Sequence, residues 1–368
     1  MIVWLLSGVL AFASVAPAAP SAAAPAWTSA TSAHFEIYAT GSPKRAREVL
    51  TYFEEVHAFF RSYLHLEPAA ARTRIIVFSG ETEYAPYRAN AFATAFYQPA
   101  HDRDVIVMRD FDADAQPTIV HEFTHLVLGH RSLRYPPWLA EGLAEFFSTI
   151  ERSGTRVRIG RVPLGRLRDL KNNTLLPAAR LFAVDRGSLE YNSVSHAGLF
   201  YAESWAAVHL LLTGERYRAS SPQFMGLVTT GTPAASAFTR VYGGTLADFD
   251  RDLRNYPTRS MFGYLNADAP LVERDLTITP RTITSFDADL ALAELLGAQI
   301  GRAEKARAAF IALEAQQPDN VALLAVHGLF ELRVGNRDAA RPLLSRAAGG
   351  NSTDATALAE LARLITST

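Results

Sequence analysis

Apolar and polar positions follow one another along the chain with a spacing that changes from segment to segment, and each change marks an element. Ile2 to Val15 is apolar and uncharged, shorter than a comfortable bilayer span, and passes into small residues and prolines up to Ala24. That pattern predicts a signal peptide over residues 1–24, with an uncleaved anchor as the alternative because no Lys or Arg precedes the run. From Trp27 the pattern is globular. His34 to Tyr38 alternates like a strand, and Pro43 to Leu64 carries Ala46, Val49, Leu50, Phe53, Val56, Phe59, Phe60 and Tyr63 at helical spacing. His57 and His65, in or beside that helix, read as edge or packing residues.

Arg74 to Phe78 reads as a buried strand closed by Gly80. Asn90 to Pro99 and Asp104 to Met108 read as two strands joined by the polar turn Ala100 to Arg103. A helix is expected from near Ala113 to Gly129, capped by Asp112 or Asp114. Ile119, Val120, Phe123, Leu126 and Val127 give it apolar surface on more than one side, which predicts burial. Trp138 to Ile150 follows as a second helix with Pro137 in its first turn, then a strand over Thr155 to Gly160. The stretch onward to Asn192 carries Leu164, Leu167, Leu175, Leu176, Leu181 and Phe182 without a period, and predicts no element. Phe200 to Leu212 is an apolar helix closed by Gly214, and shorter helices are expected over Pro222–Val228, Ala234–Tyr242 and Ala247–Tyr256.

After Thr284 the pattern shifts to alanine-rich amphipathic helices, and it repeats. Gly301 and Gly335, Ala306 and Ala340, and Phe310 and Leu344 each stand 34 residues apart, the tetratricopeptide period. Residues 287–320 and 321–354 read as two such repeats, with Thr356 to Thr366 closing them. So short an array is expected to lean on its neighbour for stability. The organisation that results is a leader, a domain over 27–260, a linker over 261–283 and helical repeats over 284–368.

Composition narrows the chemistry. A length of 368 residues fits two domains plus a leader. The 36 basic and 37 acidic residues nearly cancel and form no basic stripe, which argues against a nucleic-acid partner. The absence of cysteine excludes disulfides, thiolate ligands, a cysteine nucleophile and lipoprotein acylation. Any metal must be held by nitrogen and oxygen.

Such a donor set is present in His121-Glu122-Phe123-Thr124-His125, followed sixteen residues after His125 by Glu141. A helix turns about 100° per residue, so two histidines four apart share a face and can reach one metal, while Glu122 can reach a water on it. Catalytic zinc keeps three protein ligands and an open position, and Glu141 supplies the third if two helices meet around a short turn. Unpaired polar groups on a buried helix cost roughly 1–3 kcal/mol each, and a single Zn2+ ion supplies the reason to keep them.

His121-Glu122-x-x-His125, the segment Trp138-Leu139-Ala140-Glu141-Gly142-Leu143-Ala144, and Tyr201 ahead of an apolar helix together resemble the gluzincin metallopeptidases, closest to the bacterial peptidase MA-like branch. The resemblance covers about residues 30 to 260. It implies an α+β, zincin-like catalytic domain, a small mixed sheet plus a helical half; the all-α tetratricopeptide-like repeat domain that follows rests on the 34-residue period instead. It implies His121, His125 and Glu141 as zinc ligands and Glu122 as general base. Glu145 is implied to orient a histidine by accepting its other N–H. Tyr201 is implied to steady the oxyanion, with Tyr191 as the other candidate. The strand before the zinc helix is implied to bind substrate through Asn90, Ala91 and Phe92 and on to Phe96.

Two departures from relatives bound the expectation. The Gly-x-Met-Glu-Asn segment of zinc aminopeptidases is absent, so exopeptidase specificity does not carry over; cleavage of internal bonds, as by an endopeptidase, is the expectation, with the choice between the two left open. Leu128 and Arg131 stand where a metzincin needs glycine and histidine, and His130 lies about 140° round the helix from His125. The functional expectation is an exported bacterial zinc peptidase, periplasmic or secreted, acting on peptides or unfolded protein, with the repeats available to a protein partner. A membrane enters only if the leader stays uncleaved. Two alternatives stand beside it: an inactive scaffold that works through its repeats, and a zinc amidohydrolase acting on a cell-wall substrate.

Overall fold

The computed structural model describes residues 26–65, 72–90, 93–100, 103–268 and 277–366. The leader expected over 1–24, and Ala91 and Phe92 of the expected substrate strand, lie outside the described residues. The chain is mixed α+β, with an N-terminal mixed sheet and a helical C-terminal half.

The N-terminal half runs β1 (Trp27–Thr31), β2 (Phe35–Thr40), α1 (Pro43–Leu64), β3 (Thr73–Val77), α2 (Glu81–Tyr84), β4 (Ala95–Gln98) and β5 (Val105–Met108). Next come α3 (Gln116–Gly129) and α4 (Pro137–Phe147), a hairpin of β6 (Glu151–Ser153) and β7 (Arg156–Ile159), and the short helices α5 (Leu164–Asn172), α6 (Ala178–Ala183) and α7 (Leu189–Asn192). The helical half continues with α8 (Val194–Thr213), α9 (Ser221–Thr229), α10 (Ala234–Tyr242) and α11 (Leu246–Asn255). Two strands, β8 (Leu265–Asp268) and β9 (Arg281–Ile283), then precede α12 (Ser285–Ala298), α13 (Ala303–Gln316), α14 (Val321–Arg333), α15 (Arg337–Gly349) and α16 (Ala355–Thr366).

The main sheet has the order β4-β5-β3-β2-β1-β9. Its centre is parallel, β2 with β3 and β3 with β5, and its flanks are antiparallel. Successive side chains of a strand point to opposite faces, and here both faces are covered. Ile75 and Val77 of β3, with Ile106 and Met108 of β5, join α1 and α3 in the larger core. Ile76 and Phe78, with Val105 and Val107, face the other way onto Ala288, Leu292 and Leu295 of α12.

Sequence patterning had made 261–283 a linker, but β8 pairs with β7 and β9 pairs with β1, so part of that stretch is built into the sheets. Helix α12 therefore caps the sheet. Gln98 of β4 donates to the Ala298 carbonyl at 3.1 Å, and Gln299 donates to the Tyr87 carbonyl at 2.6 Å, fastening the end of α12 to the sheet edge. Beyond it, α12/α13 and α14/α15 form helical hairpins that turn at Gly301 and Gly335. Both glycines have positive φ, 75° and 86°, which explains why the 34-residue spacing keeps glycine at this point.

Several elements differ from expectation, and α8 starts at Val194 rather than Phe200. The strand drawn over Asn90 to Pro99 is confined to Ala95–Gln98, and ahead of it the Asn90 side chain accepts from the Ala93 N–H. The helix expected from near Ala113 starts at Gln116, where Pro117 sets the first turn, and Asp112 accepts from the Ala115 N–H outside it rather than capping it. Strand β1 escaped the pattern because Trp27-Thr-Ser-Ala-Thr31 is mostly polar, although all but its last residue are buried between β2 and β9.

In the helical half, α4 packs along α8 and α5 lies against α8 as well. Helix α8 is pinned by His209, fully buried, whose Nε2 lies 2.6 Å from the Gly160 carbonyl oxygen and whose Nδ1 lies 2.5 Å from the Tyr256 hydroxyl. Burial pushes this imidazole down to about 4. No helix among the described residues is long and apolar enough to cross a membrane.

A chain ended at residue 284 should lose the cover over Ile76, Phe78 and Val107 and fail to give a cooperative melt. Within the full chain, Leu295→Ala should cost about 2–4 kcal/mol. A soluble truncated chain that unfolds cooperatively would remove α12 from the core account.

His209 also sets a pH dependence. Its folded pKa lies below the unfolded value of about 6.5, so the unfolded state binds the proton first as pH falls. Stability should be complete above about 6.5 and decline toward about 4, by up to roughly 3 kcal/mol from this residue. His57 is pushed down to about 4 chiefly by burial, and adds in the same window. Thermal melts of His209→Gln should show a flatter slope between those pH values, whatever their absolute midpoint; an unchanged slope would contradict the assignment.

Candidate metal centre

Helix α3 is apolar on most of its surface: Ile119, Val120, Phe123, Thr124, Leu126, Val127 and Leu128 are buried. The remaining stripe carries His121, Glu122 and His125 into a cleft of about 890 Å³ between β4, α3, α4 and α8. Helix α4 enters from the opposite side with Pro137 in its first turn, and turns Glu141 and Glu145 toward α3.

His121 Nε2 and His125 Nε2 are 3.1 Å apart, and each lies 3.3 Å from Glu141 Oε2. A tetrahedral zinc with bonds of about 2.0 Å requires neighbouring ligand atoms about 3.3 Å apart. The three atoms have the spacing of one face of such a tetrahedron. Glu141 Oε2 is buried without a hydrogen-bond partner, an orphan that a cation would satisfy. Its other oxygen, Oε1, accepts from the Tyr191 hydroxyl at 3.0 Å.

Electrostatics point the same way. Burial opposes charge on His121, but Glu141, Glu145 and Glu122 outweigh it and push the imidazole up to about 9. Burial likewise opposes ionisation of Glu141, yet His125 and His121 hold it well below the usual carboxylate range. Glu122 is raised, chiefly by burial, while its Oε2 accepts from the Tyr97 N–H at 2.9 Å. Three carboxylates around two imidazoles form a buried site that calls for positive charge.

Glu145 reaches the other side of His121, with Oε1 3.5 Å from Nδ1. It is clamped in turn by Arg166 of α5, through Nη2 at 2.5 Å and Nε at 3.0 Å. Arg166 lies in the stretch where no element was expected, and nothing in its spacing singled it out. Its charge was readable; its partner was not.

Tyr201 and Tyr191 separate on contact. Tyr191 is spent on Glu141, whereas the Tyr201 ring stands 6.3 Å from the His121 ring and its hydroxyl has no hydrogen-bond partner among the described residues. Both line the cleft, as does Asn90. His130 turns away, as its helical angle required, and pairs with Asp104 at 2.5 Å.

A second group, His34, Glu54 and His57, also brings potential ligand atoms within 4.8 Å of one another. Its geometry is different. The two imidazoles are stacked, 3.9 Å between centroids at 29°, and Glu54 is engaged by the His34 backbone N–H at 2.9 Å and by Nδ1 at 2.7 Å. A ring nitrogen coordinates in its ring plane, and nearly parallel rings do not aim at a common point. The His121 and His125 rings meet at 72°, with their Nε2 atoms 3.1 Å apart.

A family model described as a protein of unknown function, DUF1570, matches residues 115–227, from the start of α3 to α9. No curated protein matches the chain. The matched span holds the histidines, both glutamates of α4, Arg166, Tyr191 and Tyr201.

Glu141 is placed by its neighbour. A Cβ on Gly142 would collide with the Ser204 carbonyl oxygen and the Val208 side chain, so glycine is what lets α4 approach α8 closely. Gly142→Ala should force the helices apart, cost about 1–3 kcal/mol and move Glu141 off its partners. Calorimetry with a zinc titration should show both a lower melting temperature and weaker binding; wild-type values for both would refute this packing role.

Proposed function

We propose that the chain is a zinc-dependent peptidase of the gluzincin type, with His121, His125 and Glu141 holding the ion. The observation that carries the reading is the convergence of three ligand atoms 3.1–3.3 Å apart, the buried Glu141 oxygen among them orphaned. When bound, zinc supplies Lewis-acid activation of water and of the scissile carbonyl.

The chain's own residues account for the remaining work. Glu122, raised by burial, is suited to take a proton from the attacking water and pass it to the leaving amine. Tyr97 N–H fixes one of its oxygens and leaves the other toward the cleft. Tyr201, with an uncommitted hydroxyl, is suited to donate to the developing oxyanion.

The free edge of β4 supports an extended peptide as substrate. The Thr94 carbonyl accepts from Arg109 N–H on the β5 side and the Tyr97 N–H turns to Glu122, so by strand alternation the peptide groups of Ala95 face the cleft. Such an edge pairs with an added strand through backbone hydrogen bonds. The helical hairpins from α12 onward are read as tetratricopeptide-like and as a surface for a protein partner.

Purified wild type should hold one zinc ion and cleave an unfolded-protein substrate. Glu122→Gln should keep the zinc and lose activity by on the order of 10²–10⁴-fold, and His121→Ala should lose both. Failure of the wild type to bind zinc at micromolar concentration would end the reading, and retained activity in Glu122→Gln would overturn the role of the base.

A further inference from the structure

Arg166 reaches the two sides of the centre through one guanidinium. Its edge meets both oxygens of Glu145, at 2.5 and 3.0 Å, and Glu145 lies 3.5 Å from His121 Nδ1. Its carbon stands 5.4 Å from the centroid of the Tyr201 ring, which in turn is 6.3 Å from the His121 ring. His121, Glu145, Arg166 and Tyr201 thus close a circuit around the metal ligands.

The chemistry of the guanidinium suits both contacts. Its planar fork matches a carboxylate in two parallel hydrogen bonds, and its cation is attracted to an aromatic ring. Glu145 is almost wholly buried, 8% exposed at the side chain, so without a paired cation its charge would be costly to keep beside His121. Arg166 sits in the first turn of α5, which packs on α8, the helix that carries Tyr201.

We infer that Arg166 is a positioning residue, holding with one group both the carboxylate behind a metal-binding histidine and the phenol that faces the reacting carbonyl. The Tyr201 arm rests on the peptidase reading; the Glu145 arm rests only on metal binding.

The two arms are read separately in full-length protein. Zinc affinity is measured by chelator competition, and kcat and KM on an unfolded-protein substrate, for wild type, Arg166→Met, Arg166→Lys, Glu145→Gln, Tyr201→Phe and the doubles of Arg166→Met with each of the last two. Arg166→Met should weaken zinc binding by roughly 10–100-fold and lower kcat with little change in KM. Arg166→Lys should recover part of the affinity, by restoring a charge, and little of kcat, since an ammonium cannot bridge carboxylate and ring. Each double should be no worse than its poorer single in the matching readout.

Wild-type affinity and kcat in Arg166→Met, or effects that add in both doubles, would overturn the proposal. If Arg166→Met does not fold, Arg166→Lys decides: unchanged kcat overturns the bridge, and lost kcat with zinc retained supports it. Should the wild type bind zinc but hydrolyse nothing, the peptidase reading falls while the affinity series still decides the Glu145 arm.

Discussion

Glu141 must bring a charged, fully buried oxygen to within 3.3 Å of two imidazoles that belong to another helix, and most of the surrounding structure serves that requirement. A buried carboxylate is expensive unless paired. Its Oε1 is satisfied by Tyr191, and its Oε2 has no hydrogen-bond partner. The backbone beneath it is held by Gly142 pressed on α8, and α8 is held by His209 between Gly160 and Tyr256. A chain of packed contacts therefore runs from a loop carbonyl at Gly160 to Glu141.

The opposite wall is set by the sheet. Glu122 is oriented by a backbone N–H of β4, so the proposed base is tied to the same strand whose free edge faces the cleft. Any displacement of β4 moves both together. The far face of the sheet that carries β4 is sealed by α12, and the Gln98 side chain joins β4 directly to the α12 terminus. Helices that look like an appendage in sequence are thus part of what fixes the geometry of the cleft.

How much was legible follows from which interactions are local. The two histidines and Glu122 are four residues or fewer apart on one helix, so spacing alone placed them on a common stripe, and α3, α4, α8 and the hairpin helices followed from apolar periodicity. Glu141 was reachable because only a short turn separates the helices. Arg166 and Tyr191 were not so readable in role. Each acts through a partner 21 or 50 residues away, across a stretch of short helices whose leucines fall at no regular interval. Polar β1 was hidden for a related reason: its burial comes from neighbours in the sheet, not from its own side chains.

The same distinction separates the two histidine–carboxylate groups. By composition and proximity, His34, Glu54 and His57 look as suited to a metal as His121, His125 and Glu141. Ring direction sets the two groups apart. In the first group the carboxylate already accepts from a backbone N–H and an imidazole, and the second imidazole is stacked on the first. In the α3–α4 group the rings are crossed, the nitrogens meet edge to edge, and the carboxylate oxygen between them has nothing else to bond. The two groups differ less in which residues gather than in the carboxylate oxygen that one of them leaves without a partner.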